Sequence, residues 1–172
     1  MPTIAFDIEV AGFPWEEIDE ITRGYLLSRA RDPEEREAVS ERTALFPGLG
    51  KIIAIGLWLV EEQRGLLLLE GPSSPQREWE KVPHSKIQRG SESELLETFW
   101  KMVPRRGLRL VSYNGRGYDG PMLMIRSAPL GLTPSTNLLP YRYDLSAHCA
   151  LLAVFTFQGT LRGRFTLDCW SR

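Results

Sequence analysis

The amino-acid sequence predicts an α/β domain, and three observations lead to this prediction. A β-type run over residues 3–8 opens the chain, two apolar stretches over 51–60 and 66–70 follow, and residues 91–103 have the periodicity of an amphipathic helix. Strands that alternate with helices in this way are typical of α/β folds. With 172 residues, of which 42% are hydrophobic and 25% charged, the chain has the size and composition of one globular domain.

The strands are predicted from their length and composition. Residues 51–60 are rich in isoleucine and too short for a typical helix, and a turn at 63–65 leads into 66–70, so we expect an antiparallel pair. Together with residues 3–8 this pair forms one sheet. Residues 108–113 supply a fourth strand.

The helices are predicted from capping signals. Ser91 followed by Glu94 forms a capping box at the start of the 91–103 helix. Asp119 or Gly120 is expected to cap the next helix, and a further helix is expected over about 145–155.

We predict a single domain over residues 1–172, with two segments that interrupt the sheet. The first segment, at about residues 13–49, is acidic and has apolar side chains at helical spacing, so we expect a helical insertion there. Residues of about 71–90 are rich in proline, serine and charge and are expected to be a long loop.

The charges are divided unevenly along the chain. The net charge is -1, but residues 1–100 carry 11 basic and 19 acidic side chains, whereas residues 101–172 carry 10 basic and three acidic ones. The second part is therefore the one expected to face a polyanion. The longest apolar run is too short to span a membrane, the chain opens without a signal-peptide pattern and two cysteines make no disulfide framework. We expect a cytoplasmic protein with no membrane contact, of undetermined oligomeric state.

Two carboxylates end the first strand. Asp7 and Glu9 are two residues apart, so their side chains share one face of the strand while Ile8 points into the core. Adjacent carboxylates repel each other, and a hard divalent cation such as Mg²⁺ or Mn²⁺ relieves that repulsion. The alternative is a pair of solvated acids at a strand end.

A glycine-rich turn follows the fourth strand. Gly115, Gly117 and Gly120 match the G-x-G-x-x-G pattern of dinucleotide-binding turns. The pattern lies about 110 residues into the chain instead of on a first βα turn, and Asp119 would place a carboxylate beside a pyrophosphate. In the other interpretation the glycines only form the turn, Asn114 ends the strand and Asp119 is the functional acid, which must then lie near Asp7 and Glu9.

Taken in order, these motifs resemble a known family. The motifs are Phe6-Asp7-Ile8-Glu9, Gly50-Lys51-Ile52-Ile53-Ala54-Ile55, Asn114-Gly115-Arg116-Gly117-Tyr118-Asp119-Gly120-Pro121, Tyr143-Asp144-Leu145 and Phe165-Thr166-Leu167-Asp168. They resemble the bacterial predicted 3′-5′ exonucleases related to the proofreading domain of family B DNA polymerases, within the DEDD superfamily. The resemblance implies a ribonuclease H-like fold, that is, a mixed sheet flanked by helices with carboxylates at strand ends.

The resemblance also implies a site and an activity. Asp7, Glu9 and Asp119 match three of the four carboxylates that hold two Mg²⁺ or Mn²⁺ ions during phosphodiester hydrolysis at a 3′ end of DNA or RNA. Asn114, Arg116 and Tyr118 become candidates for substrate binding, with Arg126 a further candidate for the substrate backbone, and Asp144 a possible site residue that is as well explained as a helix cap.

The family's third motif, Tyr-x-x-x-Asp or His-x-x-x-x-Asp, does not occur in this sequence. We therefore expect a chain truncated at its C-terminus, without the last helix or helices, the fourth carboxylate and the general base. Two other functions stay open: a non-catalytic protein that binds nucleic acid or a partner through its arginine-rich part, and a dinucleotide-binding protein.

Overall fold

The computed structural model of the protein describes residues 2–46, 48–103, 107–161, 163 and 166–170. Its strands are β1 (Thr3–Gly12), β2 (Gly50–Leu59), β3 (Arg64–Glu70), β4 (Ser74–Glu78), β5 (Ser85–Gly90), β6 (Arg109–Ser112) and β7 (His148–Ala150). Its α-helices are α1 (Glu20–Ser28), α2 (Pro33–Ala38), α3 (Glu92–Met102), α4 (Asp119–Ser127), α5 (Leu151–Phe155) and α6 (Leu167–Trp170), with short 3₁₀ helices at Trp15–Glu17 and Ser40–Leu45.

The seven strands form one mixed sheet in the order β4-β5-β3-β2-β1-β6-β7. Strands β2 and β3 form the predicted antiparallel pair, and β1 joins the same sheet by pairing antiparallel to β2. Strands β6 and β7 add to the β1 side in parallel orientation. On the other side β5 pairs in parallel with β3, and β4 closes the edge. The α/β architecture with a mixed sheet is confirmed.

The pairing of β1 with β2 contains one irregularity, close to Glu9. Glu9 lies opposite Ala54, but Val10 lies opposite Ile52, so β2 has one extra residue at this point. Such a bulge bends the strand and changes the direction of the side chains beside it. It therefore sets the geometry of the strand end that carries the two acids.

One face of the sheet is covered by α3 and α4. Ile4, Phe6 and Ile8 of β1 are buried on this face, and the Phe6 ring lies 5.7 Å from that of Phe99 in α3. The indole N–H of Trp100 donates a hydrogen bond of 2.8 Å to Ser127, which joins the two helices. This layer contains the hydrophobic core.

The start of α3 is confirmed and that of α4 differs from the prediction. Ser91 caps α3 and Glu94 completes the capping box. Helix α4 has Tyr118 as its N-cap, with no side-chain cap, and Asp119 as its first helical residue. Asp119 does not cap the helix because its carboxylate has other partners, described below.

Two predictions from local pattern are wrong. The expected loop over 71–90 contains the strands β4 and β5, and the expected helix over 145–155 is the strand β7 followed by the short helix α5. In both places pairing with a neighbouring strand overrides a weak local signal. Residues 13–46 contain the helices α1 and α2 and both short 3₁₀ helices. Of the family motifs, Phe165 lies outside the described residues.

The opposite face of the sheet carries an apolar groove of about 620 Å³. Its wall includes Trp58, Leu67, Val111, Leu151 of α5 and Leu167 of α6, and Asp7 also lines it. Within the described ranges, none of the helices is both long enough and apolar enough to cross a membrane.

Candidate active site

The end of β1 presents Asp7 and Glu9 on the same face of the sheet. Both residues are exposed, whereas Ile8 between them is buried under the helices. The alternation of a strand produces this arrangement from the sequence alone. The predicted orientation of the three residues is confirmed.

Asp119 reaches the same place from α4. Strand β6 pairs with β1 only as far as Ala5, and beyond this point the backbone N–H of Ile8 faces the Asp119 carboxylate closely enough to lower its pKa. The Asp119 side chain also lies within hydrogen-bonding reach of the Asp7 carboxylate. Asp119 is only 4% exposed. The fold therefore brings Asp7 and Asp119 together although 112 positions separate them in the sequence.

Burial and charge act together on Asp119. Burial in the protein, and then the negative charge of Asp7, raise the pKa of Asp119 to about 6, and the backbone hydrogen bonds only partly oppose this shift. Two carboxylates within hydrogen-bonding reach of each other share a proton or require a cation between them. A positive charge placed between Asp7 and Asp119 would therefore be stabilised.

Glu9 is near this pair, although it is not part of the same contact. The charges of Asp119 and Glu9 both raise the pKa of the Tyr118 phenol, after the larger effect of burial. Across the described part of the chain, no three His, Cys, Asp or Glu side chains converge closely enough to hold one metal ion. The geometry therefore gives a two-carboxylate centre with Glu9 beside it.

The glycine-rich turn is held together by its own backbone. The carbonyl of Asn114 accepts hydrogen bonds from the amides of Gly117 and Tyr118, and the carbonyl of Gly115 accepts one of 2.7 Å from Gly120. A Cβ atom on Gly120 would lie 2.8 Å from the Gly115 carbonyl oxygen. The amides of Gly117 and Gly120 are thus bonded within the turn. The contacts do not favour a dinucleotide site.

The other predicted site residues have varied surroundings. Asn114 is exposed beside the turn and Arg116 is half-buried, whereas the Tyr118 hydroxyl donates a hydrogen bond of 2.8 Å to the Ala44 carbonyl. Asp144 is exposed and its carboxylate accepts the Ser146 amide at 2.9 Å. Hydrogen bonding with the Ser146 side chain, and then with this amide, lowers the pKa of Asp144. Asp144 thus stabilises a turn before β7 instead of capping a helix.

A hydrogen bond between Ser112 and His148 packs against Gly115 of the turn, and the sequence analysis did not predict it. The Nδ1 atom of His148 lies 2.8 Å from the Leu138 carbonyl, which can only accept, so Nε2 accepts the hydrogen bond from the Ser112 hydroxyl at 2.8 Å. Both side chains are buried. A Cβ on Gly115 would collide with Ser112 and lie 2.9 Å from His148 Nε2, so only glycine fits there.

Comparison with known proteins places the chain in a family. Residues 49–137, more than half of the chain, match the model of a family described as predicted 3′-5′ exonucleases related to the exonuclease domain of PolB. The chain belongs to this family. The seven-stranded mixed sheet flanked by helices agrees with the ribonuclease H-like fold of such exonucleases. No curated protein matches the chain.

The exonuclease match covers one side of the site only. It includes Asn114 and Asp119, whereas Asp7 and Glu9 precede it. The placement of Asp7 against Asp119 is thus an independent observation from the structure.

Arg126 has a different role from the one that the sequence predicts. It is a candidate for contact with the substrate backbone, but its guanidinium is bonded to the buried carboxylate of Glu92. A signal for this pair exists in the sequence. Glu92 occupies the same helical stripe as the buried Leu95, Leu96 and Phe99, so a charge at that position predicts a buried partner.

Proposed function

We propose that this protein is a divalent-cation-dependent 3′-5′ exonuclease that hydrolyses phosphodiester bonds at the ends of DNA or RNA. The observation that carries the proposal is the contact between Asp7 and the buried Asp119. Membership of the exonuclease family supplies the reaction class. Neither observation alone leads to the same conclusion.

The residues at this centre fit a Mg²⁺ or Mn²⁺ ion. Both ions prefer carboxylate oxygens, and the raised pKa of Asp119 reflects its burial and the negative charge of Asp7. In this proposal Asp7 and Asp119 bind the cation directly, and Glu9 contributes its negative charge from beside them on the same face of β1. A bound cation supplies charge stabilisation and an activated water for phosphodiester hydrolysis.

The substrate contacts in the proposal come from the turn before α4. Arg116 supplies a positive charge for a phosphate, and Asn114 supplies an exposed amide in the same turn. Tyr118 acts through its ring, since its hydroxyl is bonded to Ala44. Asp144 is the least supported of the candidates because its carboxylate bonds within its own turn.

The proposal is tested by degradation of 5′-labelled single strands of DNA and RNA with Mn²⁺ or with EDTA. We expect shortening from the 3′ end that requires Mn²⁺ and is lost in Asp7→Asn and in Asp119→Asn. Glu80→Gln, which removes an exposed carboxylate from the turn between β4 and β5, is the matched control and should cleave like the wild type. Cleavage that persists in both aspartate variants would refute the proposed site.

A second candidate is a protein that binds nucleic acid without cleaving it. It is favoured by the lack of a three-acid cluster among the residues that the structure describes and by the basic residues 101–172. Fluorescence anisotropy of a labelled oligonucleotide in EDTA distinguishes the two. Binding by a folded protein that shows no cleavage with Mn²⁺ would establish this second function.

A further inference from the structure

A buried ion pair joins the two helices that cover the sheet. The guanidinium of Arg126 donates to both carboxylate oxygens of Glu92, from Nε at 2.9 Å and from Nη2 at 2.6 Å. The two side chains are 11% and 10% exposed. A bidentate contact of this kind fixes the orientation of the guanidinium relative to the carboxylate. A lysine ammonium in place of the arginine would not fix it.

Glu92 also holds the bulged region of the sheet. Its Oε1 atom accepts a hydrogen bond of 2.8 Å from the backbone N–H of Ile52, which lies two residues beyond the last pair between β2 and β3. Ile52 is opposite Val10, immediately after the register shift at Glu9. The carboxylate thus supplies a hydrogen-bond partner at the point where the strand that faces Glu9 is irregular.

Arg126 connects the same carboxylate to the Asp119 side of the site. It lies in the last turn of α4, the helix that begins at Asp119. Its guanidinium is 5.4 Å from the centre of the Phe13 ring, just beyond the end of β1. The Phe13 amide donates to the Leu49 carbonyl and its own carbonyl accepts from Thr43. One ion pair therefore contacts α3, α4, β2 and the segment that follows β1.

Stability alone does not account for this arrangement. The N-terminus of α3 is already satisfied by Ser91 and Glu94, so Glu92 is not needed as a cap. A buried ion pair is often no more stabilising than a well-packed apolar pair of the same size, because the desolvation of both charges offsets their attraction. Its best-attested use is to specify one arrangement of the elements that it joins.

We propose that Glu92 and Arg126 are positioning residues for the cation centre at Asp7 and Asp119. They hold α4, and with it Asp119, at a fixed position against the bulged end of β1. The inference rests on the proposed function, since it concerns the geometry of that cation site. Neither residue is proposed to touch the cation or the substrate.

The test is Mn²⁺ affinity, measured by electron paramagnetic resonance of the free ion. Arg126→Lys keeps the positive charge and removes the bidentate contact. We expect Mn²⁺ to bind about tenfold more weakly, with the melting temperature of the metal-free protein changed by no more than a few degrees. Arg36→Lys, an exposed arginine in the last turn of α2, is the matched control and should bind Mn²⁺ like the wild type.

A second variant, Glu92→Met with Arg126→Met, replaces both charges by apolar side chains and leaves no buried charge unpaired. We expect it to fold, to bind Mn²⁺ about tenfold more weakly and to exchange the Ile52 amide hydrogen faster than the wild type. Wild-type Mn²⁺ affinity in both folded variants would overturn the inference, and so would a loss of folding in both, which would assign the pair to stability.

Asp119→Asn separates this inference from the proposed function. If the wild type binds Mn²⁺ no better than Asp119→Asn, the proposed cation centre is wrong and the inference fails with it. If the wild type binds Mn²⁺, Asp119→Asn does not, and Arg126→Lys binds like the wild type, only the inference fails.

Discussion

The two faces of the sheet differ in what they contribute to this protein. On one face Ile4, Phe6 and Ile8 of β1 pack under α3 and α4 in the core. On the other face Asp7 and Glu9 alternate with those residues, and Asp7 borders an apolar groove. One strand can therefore support the core and also carry the candidate site residues, because its side chains alternate between two environments.

The greatest change in the free energy of unfolding is expected at one of two adjacent leucines of β3, with a much smaller change at the other. Leu68 is fully buried on the helix-covered face, whereas Leu67 lines the open groove. Leu68→Ala leaves a cavity in a closed core and should lower the free energy of unfolding by about 3 to 4 kcal/mol. Leu67→Ala should lower it by only about 1 kcal/mol, because water already reaches that side chain.

Urea unfolding monitored by tryptophan fluorescence measures both changes. Equal losses of unfolding free energy in the two variants would mean that the groove is closed in solution, and the contrast between the faces would then be wrong.

A smaller effect is expected where the two faces meet at Asp119. The folded-state pKa of about 6 lies above the ordinary value of 3.8, so this group stabilises the metal-free fold at acidic pH, and the contribution disappears as the pH rises through about 6. At pH 7, Asp119→Asn should therefore raise the free energy of unfolding of the metal-free protein, by an amount on the order of 1 to 3 kcal/mol.

Thermal unfolding in EDTA and in Mn²⁺ checks this prediction. Mn²⁺ should raise the melting temperature of the wild type and change that of Asp119→Asn little. The difference in melting temperature between the two proteins should therefore shrink or reverse when the ion is added. A destabilised Asp119→Asn in EDTA at pH 7 would show that the carboxylate is favourably placed without any cation.

The smallest effect concerns His148, which is buried on the covered side against Phe6. Burial lowers the pKa of His148, and the positive charge of Arg116 adds to the shift. The unfolded chain therefore takes up this proton more readily, and stability should fall as the pH drops below about 6.5. This trend is opposite in sign to that of Asp119.

The two trends are separated in the Asp119→Asn background. There the free energy of unfolding should decrease from pH 7 to pH 5, and adding His148→Gln should flatten the decrease. Adding His84→Gln, which changes an exposed histidine, should leave the slope unchanged. A slope that survives His148→Gln would assign the pH dependence to another group.

Much of the fold could be predicted because the relevant signals are local. The alternation in β1, the apolar runs of β2 and β3 and the capping box of α3 are patterns within a few residues. By contrast, β4 has the sequence Ser74-Pro75-Gln76-Arg77-Glu78, which contains no apolar alternation, and it is a strand through its pairing with β5. Because the strand conformation of β4 depends on its pairing with β5, the sequence of β4 alone does not predict it.

The sequence by itself determined the chemistry available at the site and the face on which Asp7 and Glu9 lie. It did not determine that Asp119 would be buried against Asp7, because that contact depends on where β6 stops pairing with β1. Nor did it determine the partnership of Glu92 with Arg126, which requires α3 and α4 to pack side by side. Burial and pairing between distant segments are properties of the packed chain, so only the tertiary structure decides them.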